Sequence, residues 1–424
     1  MAISHENSSS IVPRSEFLND IAGQVCTEGG LGVPVLLSGG PGWGKTHFLK
    51  SLNREVTGRK QFLTLFFPFD EICFSPDFFI EKCRQIISDA VDRAGERFSG
   101  FRKKHSGTAV DDLFGMIESA GKKCGFPPLI TVDEVAEIAV LKSFPGQGDP
   151  LRRFLELSRA YKVVMSSAFP SRVIEAAGRA EILLEHYTVP AMERLDVEET
   201  AAGLSVSLNA GQFDNVSRIC CGSPAYLGAL LKKMKTSGSK NPVDAALEEL
   251  SPGGGLELLC RFSYEYLVQR SRGQGIVRQL LAVIASMQIR SGRINLTSIA
   301  AELDRSLGVT KDYIKWLLAV DIIESREKEY RIKDDLLAAW IRLFKSGCEP
   351  SASDIEREIK SLAAQVISSP APPVKAKARL RVKKKTVADK PEVPRDSISR
   401  KIGHDTVTYV VHRPQRGSGL EEID

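Results

Sequence analysis

The 424-residue sequence has no apolar run long enough to cross a bilayer: its longest, such as QLLAVIASM near residue 280, fall well short of the roughly 20 residues required. It also lacks a basic flank followed by an apolar block at its start, where MAISHENSSS is polar. A secretory leader is therefore not expected, and the chain is expected in the cytoplasm. Paired CxxC spacings are missing too, which argues against a zinc ribbon or a dithiol redox site. The eight cysteines, at 26, 73, 83, 124, 220, 221, 260 and 348, read as reduced thiols, and neighbours such as Cys220 and Cys221 rarely form an unstrained bridge. Strong charge is absent, with a net of only +5, and the surplus is local. Residues 371–424 hold 13 Lys and Arg against 7 Asp and Glu, so the rest is close to neutral.

What is present is ordinary globular material, 42% hydrophobic and 26% charged, in a chain longer than one core usually organises. Short, nearly all-apolar segments alternate with longer amphipathic ones up to about residue 190, the pattern of a parallel sheet covered by helices on both faces. The expected strands are VPVLLS (33–38), FLTLFF (62–67), PLITVD (128–133), KVVMSS (162–167) and EILLEHYTV (181–189). The fold class is α/β, with a core over 1–195 and a small helical lid domain over 196–270. Over 271–348, VRQLLAVIASMQ, TSIAAELDRS and KDYIKWLLAVDII read as helices, the last preceded by a turn LGVT, and ESREKEYRIKDD reads as a hairpin. Helices followed by a hairpin in that order predict a winged helix. Residues 349–424 read as a basic, Pro-rich tail with one further strand-like piece, DTVTYVVHR.

The segment LLSGGPGWGKTHFL places Gly39, Gly40, Pro41, Gly42, Trp43, Gly44, Lys45 and Thr46 between a strand and a helix, matching G-x-x-x-x-G-K-[ST]. Such a loop wraps backbone amides around phosphate oxygens, and the helix start adds partial positive charge. A Cβ at its glycines would obstruct that approach. Lys45 would meet β- and γ-phosphate charge, and the Thr46 hydroxyl would ligate Mg²⁺. The strand LITVDE then ends in two carboxylates. Asp133 is placed to hold the metal shell and Glu134 to deprotonate the attacking water; a pair capping the next helix is the plainer alternative. Ser166 and Ser167 end the next strand, where contact with the γ-phosphate or the water competes with simple capping. Arg172 follows as a candidate for transition-state charge, although surface arginines are common. In ICCGSPAYLGALL, Pro224 suits a first helical turn, and that turn is also a candidate to close over the nucleotide.

Together these pieces, over roughly residues 11–345, resemble the archaeal-type ATPase family, related to the STAND regulators and the AAA-like origin-recognition ATPases. IVPRSEFLNDI is similar to the family's leading box, retaining Arg14 and Glu16 while Pro13 and Ser15 replace its glycine and glutamate. The loop, the DE strand, the serine strand and the Gly-x-Pro turn follow in family order. An acidic pair with an extra strand looks like the additional-strand class of P-loop NTPases. The resemblance implies ATP with Mg²⁺ as the ligand, Pro224 near adenine, and a winged helix leading to a helix that carries Trp340. A lid arginine is unassigned, with Arg218 the nearest candidate.

The output partner stays open. The helix TKDYIKWLLAVDII offers only Lys311 and Lys315 against Asp312 and Asp321, weak equipment for gripping duplex DNA, and a protein partner is equally compatible. Seven cations from Lys375 to Lys385 make a better case for nucleic acid, with a solvated basic linker as the alternative.

Overall fold

A computed structural model describes residues 14–27, 33–59, 61–96, 107–192, 194–271, 273–290, 293–345, 349–364 and 407–409. The basic run 375–385 and Cys348 lie outside them. The first part of the chain comprises α1 (Ser15–Cys26), β1 (Val35–Ser38), α2 (Lys45–Gly58), β2 (Leu63–Pro68), α3 (Phe69–Ile72), α4 (Pro76–Arg93), α5 (Ala109–Cys124) and β3 (Pro128–Asp133). A 3₁₀ helix, Val135–Ser143, follows, then α6 (Pro150–Ser158), β4 (Lys162–Ser167), α7 (Pro170–Arg179) and β5 (Leu184–Thr188). Helices α8 (Arg194–Gly203), α9 (Ala210–Cys220), α10 (Pro224–Ser237), α11 (Pro242–Leu250) and α12 (Gly255–Gln269) come next. Then come α13 (Gln274–Met287), α14 (Leu296–Glu302), α15 (Leu307–Ala319), the hairpin β6 (Ile323–Arg326) and β7 (Glu329–Ile332), α16 (Asp335–Phe344), α17 (Ala352–Ala364) and β8 (Val407–Tyr409).

Capping chemistry explains many of the boundaries. Ser75 accepts from the Phe78 amide just before Pro76 opens α4, and Thr108 and Asp111 form a capping box at α5. Gly125, left-handed at φ 70°, ends α5. The sheet runs β2-β3-β4-β1-β5-β8; the first five strands are parallel and β8 is antiparallel to β5. Strand β4 thus lies between the strand that enters the glycine loop and the strand that ends in Asp133. Central strands β1, β3 and β4 are buried almost throughout, whereas edge strand β2 alternates. Neighbouring Leu36 and Leu37 are both fully buried but join opposite layers. Leu37 packs with Phe48 and Leu49 of α2 and with α1; Leu36 belongs to the cluster that extends through α4, α5 and α7 into the later helices.

Several details differ from the sequence reading: the helix read over KDYIKWLLAVDII ends at Ala319, and its Ile323 opens β6. Helix α15 begins at Leu307, because Ser306 accepts from the Val309 amide at 3.4 Å, so LGVT is a first helical turn. Residues 352–364 fold as α17, burying Ile355, Ile359 and Leu362, with Glu358 paired to Arg342. No helix among the described residues is long and apolar enough to cross a membrane.

Candidate functional site

Gly42 and Gly44 both have φ +79°, a backbone that side chains with a Cβ adopt only under strain. Gly44 is the N-cap of α2, so the loop delivers its amides to the positive end of a 14-residue helix. At Gly40 a Cβ would come within 3.1 Å of the Trp43 ring, which accounts for a second small residue. Arg14, from the leading box, reaches the same loop: its Nη1 donates to the Trp43 carbonyl at 3.2 Å, and burial pushes its guanidinium down to about 10. Its Nη2 is buried with no hydrogen-bond partner among the described residues.

Lys45 is buried at the head of α2. Its Nζ donates to the carbonyls of Gly39 and Gly40 at 2.9 and 3.3 Å and pairs with Glu134 Oε1 at 2.9 Å. Thr46 Oγ1 donates to Asp133 Oδ2, and Ser166 Oγ donates to Asp133 Oδ1. Strand order accounts for the last contact, since β4 lies directly beside β3. Glu134 sits at φ 51°, ψ 54°, left-handed and unusual for a residue with a long side chain. Two hydrogen bonds hold it there: its amide donates to Ser166 Oγ at 3.1 Å, and its Oε2 accepts from the Ala168 amide at 2.7 Å.

The Gly-Ser-Pro turn lies on the phosphate loop. Ser223 Oγ and the Ala225 amide both donate to the Gly42 carbonyl at 3.2 Å, and Pro224 lies beside Gly44. Gly222, at φ +74°, lets the turn pass Ala191, whose Cβ an added methyl would meet at 2.5 Å.

Lys45, Thr46, Asp133, Glu134 and Ser166 therefore meet at the C-terminal ends of β1, β3 and β4, and Pro224 covers the loop. Ser167 turns instead into its own bend, accepting from the Phe169 amide at 2.9 Å. Arg172 donates to the Arg270 carbonyl at 2.8 Å and lies over the Phe169 ring. Arg218 donates to the Ala363 carbonyl in α17, so among the described contacts it serves packing. Asp70 is a residue the sequence reading passed over. It follows β2, whose Pro68 pairs with Asp133, and its exposed carboxyl is pushed up to about 6 by the protein crowding one side and by the negative charge of Asp133 and Glu134. The signal was available in FPFDE, another strand running into carboxylates.

Magnesium and a triphosphate fit these residues. The donors are hard oxygens from a hydroxyl and a carboxylate already within hydrogen-bond reach of each other, beside a cradle that only glycine leaves open.

The chain superposes on the Walker-type ATPase Paby2304 of Pyrococcus abyssi with a TM-score of 0.60 at 13% identity, covering 78% of this chain and 95% of that one. It has the fold of a P-loop ATPase. A weaker likeness reaches Cdc6p from Pyrobaculum aerophilum, with a TM-score of 0.40 and 14% identity over 85% of this chain and 96% of that one. No family model matches the sequence, and no curated protein does. At these identities the likeness is one of fold.

Proposed function

We propose that the chain is a magnesium-dependent ATPase whose nucleotide state is passed to its C-terminal helices. One observation carries the proposal: Lys45, Thr46, Asp133 and Glu134 converge within hydrogen-bonding distance at the mouth of a glycine loop capping α2. The loop amides and the start of α2 would bind the phosphates. Lys45 would exchange the loop carbonyls and Glu134 for β- and γ-phosphate oxygens, leaving Glu134 Oε1 to take the proton of the attacking water. Thr46 and Asp133 would hold the magnesium ion, which supplies positive charge against the phosphates. Ser166 fixes the Asp133 carboxylate, and its hydrogen bond to the Glu134 amide keeps the two acids in register. Resemblance in fold favours ATP, and Pro224 and Arg14 both border the loop.

The hold of the Ala168 amide on Glu134 Oε2, which would persist once Lys45 turns to phosphate, favours slow turnover. A nucleotide-gated switch is therefore the second reading. For the output, α13, α14, α15 and the β6–β7 hairpin are proposed to form a winged helix. Leu307 and Val309 are exposed at the start of α15, and Lys315 is paired with Asp312 at 3.2 Å, which supports a protein surface over duplex DNA as its partner. DNA held by the cations at 375–385 would bind with a strong salt dependence that weakens when they are neutralised.

The test is phosphate release by the full chain with Mg-ATP, beside Lys45→Ala and with calorimetry of nucleotide binding. Turnover lost in Lys45→Ala supports the proposal. A folded protein that takes up no Mg-ATP ends it.

A further inference from the structure

Residues 270–273 join α12 to α13, where the chain passes from the helices after the Gly-Ser-Pro turn to the three-helix unit. Arg270 ends α12, and its side chain is engaged on every side. Its Nε and Nη2 meet Glu137 Oε1 at 3.0 and 2.9 Å, and its guanidinium lies 3.7 Å from the centre of the Tyr266 ring. Phe169 stacks on Tyr266 at 5.5 Å and 16°. The backbone carbonyl of Arg270 accepts from Arg172 at 2.8 Å.

These contacts converge on the two segments that set Glu134. Glu137 lies in the 3₁₀ helix that Glu134 opens, and its amide donates to the Glu134 carbonyl at 2.9 Å. Phe169 directly follows Ala168, whose amide holds Glu134 Oε2, and caps α7, whose first turn carries Arg172. The three-helix unit touches the link that follows Arg270 and the start of α7. Gly273, at φ +66°, lies so close to Tyr313 of α15 that a Cβ would come within 2.3 Å of the ring, and Asp321, beyond α15, lies against the Ser171 backbone.

We propose that Arg270 is a positioning residue: through Glu137 and through Phe169 and Arg172 at the start of α7 it sets Glu134, and so couples nucleotide turnover to the placement of α13 and α15. The proposal rests on the ATPase reading above. An arginine is required because its planar fork stacks on Tyr266 while reaching Glu137, which a lysine ammonium does not reproduce. The pair is partly exposed and so a minor stabiliser of the fold. A displacement of about 1 Å at a reacting group, by contrast, changes rates on the order of 100-fold.

The experiment uses the full chain as wild type, Arg270→Ala, Arg270→Lys, Glu137→Ala and the Arg270→Ala/Glu137→Ala double variant. Steady-state Mg-ATPase activity is measured with hydrogen exchange in the presence and absence of a non-hydrolysable Mg-nucleotide. Arg270→Ala is expected to lower kcat about tenfold with KM within twofold, Arg270→Lys to fall between it and wild type, and the double variant to be no slower than the slower single. Nucleotide-induced exchange changes in 274–287 and 307–319 should appear in wild type and vanish in Arg270→Ala. Additive singles, a raised KM at unchanged kcat, or a surviving exchange response overturns the proposal while leaving the ATPase reading intact. A folded wild type that neither binds nor turns over nucleotide overturns both. Should Arg270→Ala unfold, Arg270→Lys carries the same readouts, and wild-type kcat with a wild-type exchange response in that variant counts against the role.

Discussion

At the residue scale, the proposed ATPase site divides its work between groups that would bind and one that would react, and substitutions separate them. Lys45→Ala removes the ammonium that faces phosphate charge and is expected to lower kcat/KM by about 100-fold or more, read by phosphate release. Glu134→Gln keeps the shape and loses the base. Turnover should fall by about 100-fold or more while calorimetry finds nucleotide affinity within a few-fold of wild type. Asp70 makes a pH prediction. Its folded-state value of about 6 lies above the ordinary 3.8, so between those values the folded protein holds a proton that the unfolded chain has released. Stability therefore falls as pH rises from about 4 to about 6 and stays lowered above. Without magnesium or nucleotide, Asp70→Asn should raise Tm at pH 7.5 and leave it unchanged at pH 4; the rise should be small because the side chain is exposed and solvent-screened.

At the element scale, the Gly-Ser-Pro turn is the sharpest test, because one glycine lets it reach the phosphate loop. Gly222→Ala places a methyl 2.5 Å from Ala191 Cβ on a left-handed backbone and is expected to cost about 1–3 kcal/mol. It should also weaken nucleotide binding several-fold by lifting Ser223 and Ala225 from Gly42, as measured by denaturant unfolding and calorimetry. Elements of this kind were legible in the sequence where local chemistry decides them. Four of the five core strands lie within the apolar runs read for them and β2 runs one residue past its own, to Pro68, while the glycine loop announces itself by its glycines and lysine. Asp133 and Glu134 were readable as a strand end. The neighbours of Glu134 were not, because Ser166 and Ala168 approach it only through the insertion of β4 beside β3, a pairing that periodicity does not encode. The start of α15 was misread for a local reason, since Leu-Gly-Val-Thr resembles a turn until Ser306 is recognised as its cap. Helix α17 hid behind the polar, proline-rich stretch that follows it, although its Ile355, Ile359 and Leu362 keep helical spacing.

At the scale of the whole molecule, α17 packs residues 352–364 against α9, α11 and α16. Its Glu358 makes a two-pronged pair with Arg342 at 3.0 and 2.6 Å, and Arg342 also donates to the Ala285 carbonyl. Both side chains are nearly buried, so Glu358→Ala, which strands the arginine, is expected to cost about 3–5 kcal/mol by denaturant unfolding. The helices after β5 are also joined to the nucleotide end of the sheet by a second route: Tyr226, in the helix that starts on the phosphate loop, donates to Asp334, which caps α16. Strand order has its own implication for biosynthesis. Strand β1 pairs only with β4 and β5, so a nascent chain halted before Lys162 carries its glycine loop on a ribbon with no neighbour to either side. The glycine loop thus gains its flanking strands only after more than a hundred residues beyond it have left the ribosome, and on the ATPase reading the growing polypeptide would not be steadied by the cell's nucleotide pool until then.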